Sequence, residues 1–295
     1  MKQPNLDFEI ILPIYAENER IDERMPELPE MENYRRLLSE HIINQPITQV
    51  VIHREKSLNV PAEPFIEEVT GLRVIFVERR GKFLVFHMNN GRRLLLHLML
   101  GGMLYYGTEE DRPNRNTQVE ITFGQRTLYF IGLRLGYLHL LSAKETEEVL
   151  KPLGPELLDR RMSKERFTEL LKGRRGALKS LLVNQHAIAG IGNCYADEIA
   201  FEAGLLPSAK LQDLSDEALG RLYDAAVKVL TDALEHGGYM ESPLMVGDTL
   251  TGGYDEMCKV YDREGESCVR CSGVVNRIEL TGRKAFFCPS CQHER

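Results

Sequence analysis

No apolar run in the 295 residues reaches the length needed to cross a bilayer as a helix, so a membrane is not among the expected partners. The opening residues, Met1-Lys2-Gln3-Pro4-Asn5, lack the basic flank and apolar core of a secretory signal. Positive charge is also short. Against 44 Asp and Glu stand 37 Lys and Arg, and the net charge of −7 argues against a nucleic-acid partner unless charge is unevenly placed. Residues 160–179 meet that condition, with eight basic side chains (Arg160, Arg161, Lys164, Arg166, Lys172, Arg174, Arg175, Lys179) and two acidic ones, Glu165 and Glu169. Such a run is a candidate basic face or simply a solvated helix surface. Hydrophobic residues at 43% and charged residues at 27% are ordinary for a globular chain long enough to hold two cored domains.

Of six cysteines, four stand in two close pairs, which suits metal binding in a reducing compartment better than disulfides. The expected location is the cytoplasm. Cys268-x2-Cys271 is followed after sixteen residues by Cys288-x2-Cys291, the spacing of a four-cysteine zinc site. Four thiolates fill a tetrahedral ion, so the expected Zn2+ is structural, one per chain, with no open position for catalysis. Arg, Ser, Pro and Gln beside the pairs argue against unligated core cysteines. Residues 274–278 and 284–287 alternate like a β-hairpin around Thr281-Gly282-Arg283. Cys194 and Cys258 fall outside this spacing and read as ordinary thiols.

Residues 31–43 have helical spacing, with Met31, Tyr34, Leu37, Leu38 and Ile42 on one side. Seven strand-like runs follow, at 47–53, 72–77, 83–88, 94–98, 119–123, 127–131 and 137–141. Gly81, Asn89-Asn90-Gly91, Gly101-Gly102 and Gly124-Gln125 punctuate them. Many short strands after one helix predict a two-layered β-sandwich or flattened barrel. Residues 144–155, with Pro152, Gly154 and Pro155, read as a linker. Helical patterns then occupy 164–172, 176–185, 194–203 and 215–236. Between two of them, Ala187-Ile188-Ala189-Gly190-Ile191-Gly192-Asn193 is either a tight helix–helix connection or a turn whose N–H groups bind phosphate at the next helix start. Residues 239–257 read as a long loop. The expected division is a 1–24 extension, a sandwich over 25–145, a helical domain over 146–257 and a zinc finger over 258–295.

The chemistry concentrates at Met25-Pro26-Glu27-Leu28-Pro29-Glu30. If translation begins at Met25 and the methionine is trimmed, Pro26 carries a free secondary amine with a pKa near ~8. Such an amine attacks an electrophilic sugar carbon and holds the product as an imine. Glu27 is within reach as a general acid or base. Pro29 suits the first turn of a helix, and Glu30 and Glu32 suit its positive end. With residues 1–24 attached, the Pro26 nitrogen is an amide and not a nucleophile. The expectation is therefore that Met25 is the true start, the six acids of the preceding segment notwithstanding.

Further motifs follow in order: Arg80-Gly81-Lys82-Phe83-Leu84, His97-Leu98, Gly190-Ile191-Gly192-Asn193-Cys194-Tyr195-Ala196-Asp197-Glu198, Val260-Tyr261-Asp262-Arg263-Glu264-Gly265 and the cysteine hairpin. With the Pro-Glu start, they resemble the bacterial formamidopyrimidine-DNA glycosylase and endonuclease VIII family from Met25 to about Gln292. The resemblance implies an α+β multidomain fold: an N-terminal β-sandwich with its helix, a helix–two-turn–helix module and a zinc-finger hairpin, with DNA in the cleft between. It implies a monomeric base-excision enzyme that acts on double-stranded DNA with an oxidised base or abasic site and cuts the strand by β,δ-elimination. Pro26 is then the nucleophile, Glu27 the proton donor to the sugar, Glu30 its support, and Lys82 part of the catalytic group. Lys82, His97, Asn193 and Arg283 match positions that grip phosphates around a flipped nucleotide. The family inserts three side chains into the gap; Leu100 and Arg134 match two of these positions, and Leu135 takes the place of the third, filling space but stacking less well than an aromatic ring.

The sequence departs from the family there. Leu100 stands where methionine is common, Ile131-Gly132-Leu133-Arg134-Leu135-Gly136 replaces Asp-Pro-Arg-Arg-Phe-Gly, and His186 replaces a common lysine. Residues 239–257 do not match the lesion-capping loop of oxidised-purine enzymes, which leaves purine and pyrimidine lesions both open. A non-catalytic binder of damaged DNA with a capped Pro26, and an RNA-binding zinc ribbon, are the competing readings.

Overall fold

The computed structural model describes residues 24–295, so the expectation for the extension falls, but for Arg24, outside the described residues. Helix α1 (Leu28–His41) starts where Pro29 occupies the first turn and the Glu27 N–H donates to the Glu30 carboxylate at 2.8 Å. Strand β1 (Ile47–Ile52), a short 3-10 turn (Glu55–Ser57) and helix α2 (Ala62–Val69) lead into β2 (Val74–Arg80), β3 (Phe83–Met88), β4 (Arg93–His97), β5 (Met103–Gly107), β6 (Thr117–Phe123), β7 (Arg126–Ile131) and β8 (Tyr137–Leu141).

These strands form two antiparallel four-stranded sheets, ordered β1-β6-β7-β5 and β2-β3-β4-β8. They enclose Leu84, Phe86, Leu96, Leu104, Ile121 and Phe130, and α1 closes the core with Met31, Tyr34 and Leu38. The expected sandwich is present. Strand β5 was not expected because it is buried on both faces. Leu104 and Tyr106 enter the main core while Met103 and Tyr105 pack on Tyr129 and Ile131, so no period-2 alternation survives. Helix α2 was hidden by Pro61 and Pro64, both tolerated because they lie at the cap and in the first turn. The expected linker is half helix: α3 (Ala143–Leu150) is started by a Ser142–Glu145 capping box.

Helices α4 (Lys164–Leu171), α5 (Leu178–Leu182), α6 (Asn193–Ala203) and α7 (Asp216–Glu235) share a second core that includes Phe167, Leu182, Ile191, Tyr195, Ile199, Leu222 and Val229. Half of the basic run is paired with acids. Arg161 pairs with Asp159, Lys164 with Asp224, Lys172 with Glu169 and Asp216, and Lys179 is buried against Asp197. Strands β9 (Asn276–Leu280) and β10 (Arg283–Phe287) form the expected hairpin. Its two-residue turn places Thr281 and Gly282 at positive φ, as a type I′ turn requires.

Three ties fix these parts to one another. Glu156, at the head of the helical half, accepts from Arg79 at 2.6 Å, Arg80 at 2.9 Å and the Gly81 N–H at 2.7 Å, and so holds the β2–β3 turn. The 239–257 segment returns to the sandwich: Leu244 lies in its core, and the Tyr106 N–H donates to the Leu244 carbonyl at 2.6 Å. On α6, Asp197 accepts from Lys179 and from the Phe286 N–H, while Glu198 accepts the N–H groups of Lys259, Val260 and Tyr261, each at 2.9 Å. The Asp-Glu pair of the glycine motif is thus the mortar between α6 and the finger. Among the described residues no helix is long and apolar enough to cross a membrane.

Candidate active site

Three local devices meet at Pro26: the start of α1, the β2–β3 turn and the N-terminus of α6. Pro26 is buried, and the Met25 carbonyl before it accepts from the Tyr239 hydroxyl at 3.2 Å. The Glu27 carboxylate, 2% exposed, sits on the open end of α6. It accepts from the N–H of Gly192 and, at 3.0 Å, from that of Cys194. The amides that the sequence offered to phosphate are therefore taken by a carboxylate, which satisfies the orphan donors and meets the positive end of the helix dipole. Burial raises the Glu27 pKa, and the charge of Lys82 and the two N–H groups oppose that rise. A Cβ at position 192 would displace the Lys82 ammonium and the Glu27 carboxylate from these places.

Glu30 accepts from the Tyr195 hydroxyl at 2.6 Å and from the Tyr239 N–H at 2.8 Å. Burial, with the Glu27 charge behind it, pushes its pKa up to about 7. A carboxylate raised in this way favours the native state in its protonated form. Its contribution is complete below its unfolded value near 4.5 and is lost as pH rises through about 7. Glu30→Gln is therefore expected to flatten the fall in stability between these pH values, an effect of about 3 kcal/mol. Denaturation midpoints of the two proteins from pH 4.5 to 8 read this directly; parallel curves would refute it.

Lys82, at the β2–β3 turn, is 7% exposed, and burial lowers its pKa against the pull of Glu27 and Glu30. Its amine lies 3.8 Å from the Met25 sulfur. Arg283, exposed at the first position of β10, is close enough to depress the Lys82 pKa further. His97, at the end of β4, packs edge-on against Phe83 with ring centroids 4.5 Å apart, and its Nδ1 accepts the Met99 N–H at 3.0 Å. Burial and Lys82 push its pKa down to about 4, so the ring is neutral at pH 7 and offers Nε2–H rather than charge. Asn193 is exposed at the first position of α6. Leu100 and Arg134 are also exposed, on loops tied to this site through the Gly101 N–H, which donates to the Arg24 carbonyl at 2.9 Å. His186 lies apart, with Nδ1 against the Pro152 carbonyl at 2.9 Å.

The structure thus brings Pro26, Glu27, Glu30, Lys82 and His97 together, with Arg283 near enough to act on Lys82, while Asn193, Leu100 and Arg134 are exposed and His186 lies apart. Tyr195 and Tyr239, which orient Glu30, were not anticipated. Tyr195 stood inside the glycine motif, but nothing local to Tyr239 announced it.

The four finger cysteines match a zinc ion in size and chemistry. Their sulfurs lie within 4.8 Å of one another, with Cys268–Cys291 at 3.8 Å and Cys271–Cys288 at 3.7 Å. A tetrahedron with ~2.3 Å metal–sulfur bonds has ~3.8 Å edges, so the set has the size the ion needs. The Arg270 and Gly273 N–H groups donate to Cys268 and Cys271 at 3.4 and 3.2 Å, as thiolate ligands require. The four cysteines are the ligands of one structural zinc.

Fold and site define a sandwich–helix–finger protein built around a buried proline and two carboxylates. The chain matches the formamidopyrimidine-DNA glycosylase N-terminal domain over residues 25–137, the H2TH domain of the same glycosylases over 153–242, and the zinc finger found in FPG and IleRS over 265–293. It is 34% identical over 272 residues to the formamidopyrimidine-DNA glycosylase of Desulfitobacterium hafniense, covering 91% of this chain and 100% of that one. To the enzyme of the same name from Colwellia psychrerythraea it is 35% identical over 274 residues, covering 92% and 100%. A solved complex of Lactococcus lactis Fpg with DNA containing an abasic site superposes with a TM-score of 0.83 at 28% identity, covering 90% of this chain and 99% of that one. The chain belongs to the formamidopyrimidine-DNA glycosylase family.

Proposed function

We infer that the protein is a bifunctional DNA glycosylase and abasic-site lyase of base-excision repair. Its partner is duplex DNA that carries an oxidised base or an abasic site. The observation that carries the reading is the buried trio of Pro26, Glu27 and Glu30, set on the N-terminus of α6 beside the Lys82 amine. Both carboxylates also hold helix starts, but beside bound phosphates their negative charge works against binding alone, which weighs for catalysis.

With its amine free, Pro26 attacks C1′ of the damaged nucleotide and displaces the base, leaving an imine between proline and the opened sugar. Glu27, with its raised pKa, supplies the proton that opens the ring. Glu30 holds the α1 turn through the Glu27 N–H. Elimination of the 3′ and then the 5′ phosphate completes the cut. Lys82, His97, Asn193 and Arg283 clamp the backbone on either side, and Leu100 and Arg134 enter the gap left by the flipped nucleotide. Net charge misleads in this chain because the basic groups that matter are few and convergent, while half of the basic run of the helical half is paired with acids.

We divide the chain at 145 and 257, into the sandwich, the helical domain and the finger, and read it as a monomer that works in the cytoplasm on the nucleoid. Family membership supports this reading. Duplexes that carry 8-oxoguanine, formamidopyrimidine or an oxidised pyrimidine test the activity. The expected product is a one-nucleotide gap with phosphate at both ends. Binding without cleavage of any of them would leave the non-catalytic reading.

A further inference from the structure

The side chains proposed to enter the gap stand on two loops, residues 98–102 between β4 and β5 and residues 132–136 between β7 and β8. The loops are seated on one another without room for a methyl group. A Cβ at Gly132 would collide with the Gly101 carbonyl, and one at Gly136 would lie 2.6 Å from the carbonyls of His97 and Leu98. Within the second loop the side chains diverge. Leu133 is fully buried in the sandwich core, whereas Leu135, two residues on, is 65% exposed. Leu100 on the first loop is 41% exposed. Two leucines displayed on a chain that has a core within reach need a backbone that cannot turn them inward.

The restraint comes from outside the loops. Arg54, just after β1, directs Nη1 at two successive carbonyls, Leu133 at 2.7 Å and Arg134 at 2.9 Å. The buried Gln118 accepts the Leu133 N–H at 2.7 Å, so the peptides on both sides of Leu133 are held. On the first loop Arg115 donates to the Gly101 carbonyl at 3.1 Å. Charge-assisted bonds to consecutive carbonyls fix the direction in which the next two side chains leave the backbone, and those are Arg134 and Leu135.

We infer that Arg54 is a positioning residue for the gap-entering side chains Leu100, Arg134 and Leu135, one that holds Leu135 outward so that it packs against the base opposite the flipped nucleotide. The inference rests on the DNA glycosylase reading above and adds Arg54 as a residue that acts only through the loop it holds. Leu135 holds space there without the stacking of an aromatic ring or any hydrogen-bond pattern, so this side chain adds little to opposite-base discrimination.

The test uses protein that starts at Met25 and a duplex with 2-aminopurine opposite a tetrahydrofuran abasic analogue. Wild-type protein is expected to change the 2-aminopurine fluorescence on binding. Arg54→Met is expected to lose most of that change and to lower kcat on a lesion duplex about tenfold, the loss expected for a charge-assisted hydrogen-bonding group, with KM little altered. Arg54→Lys, which keeps one cationic donor, is expected to recover part of both. Imine trapping on single-stranded abasic DNA, where there is no opposite base, is expected to be unchanged in all three. Wild-type fluorescence and turnover in Arg54→Met, with both lost in Leu135→Ala, would overturn the role of Arg54 alone. If Leu135→Ala also matched wild type, the packing of Leu135 on that base would itself fall. Loss of single-strand trapping in Arg54→Met and Arg54→Lys alike would assign Arg54 to folding and overturn the inference as well.

Discussion

A single residue left in front of Pro26 is expected to reduce imine formation on abasic DNA by at least ~10^4-fold, the order seen when an enzymic nucleophile is removed. The reason is electronic before it is steric: an acylated proline nitrogen has no lone pair to give, whereas the free amine is substantially unprotonated near pH 7–8. Sterics add to this. With the upstream chain attached, the Met25 carbonyl is held by the Tyr239 hydroxyl, the Met25 sulfur touches the Lys82 amine, and Arg24 pairs with Asp255 at 3.0 Å. These contacts hold the protein's own chain in front of the Pro26 nitrogen. Single-turnover cleavage of an abasic duplex, compared between protein starting at Met1 and protein starting at Met25 after methionine trimming, measures the difference. Equal rates would mean that the long form is trimmed in the assay or that another amine does the work.

Zinc removal carries the second large effect. Apart from its four cysteines, the finger shares a cluster of only a few apolar residues, Phe201, Val260, Val275 and Phe286 among them, too small a core to fold without a metal. Structural zinc contributes on the order of 10 kcal/mol to such a domain. Chelation is expected to unfold β9 and β10 and to carry Arg283 away from Lys82, lowering affinity for abasic duplex by about 100-fold, the scale of losing one well-placed charged anchor. The sandwich and the helices have cores of their own, so far-ultraviolet dichroism should change little. Titration of released zinc alongside a binding isotherm tests this. Unaltered affinity after full release would show that the hairpin holds itself together.

Much of this architecture was legible in the sequence because the signals were local. Cysteine spacing announced the finger, and period-2 patterns announced seven of the eight sandwich strands. Strand β5 escaped because burial on both faces erases alternation, and α3 escaped because its capping box was outweighed by the prolines and glycine that follow. The site was legible only as ordered fragments. Pro26 and Glu27 stood out by chemistry, yet what sets their behaviour lies about 165 residues away in the N–H groups of Gly192 and Cys194. The same holds for Glu30, which depends on Tyr195 and Tyr239, and for Arg54, an unremarked residue that holds carbonyls 79 and 80 positions further along. Long-range hydrogen bonds leave no periodicity for a single sequence to show.

The central claim, that the Pro26 nitrogen is the nucleophile, is tested most directly by borohydride trapping on duplex DNA with an abasic site. The trapped adducts of the Met1 and Met25 proteins are then digested to locate the modified residue. The account predicts an adduct from the Met25 protein alone, carried by the N-terminal proline. An adduct on Lys82, or one formed equally by the Met1 protein with its first residues still attached, would contradict it.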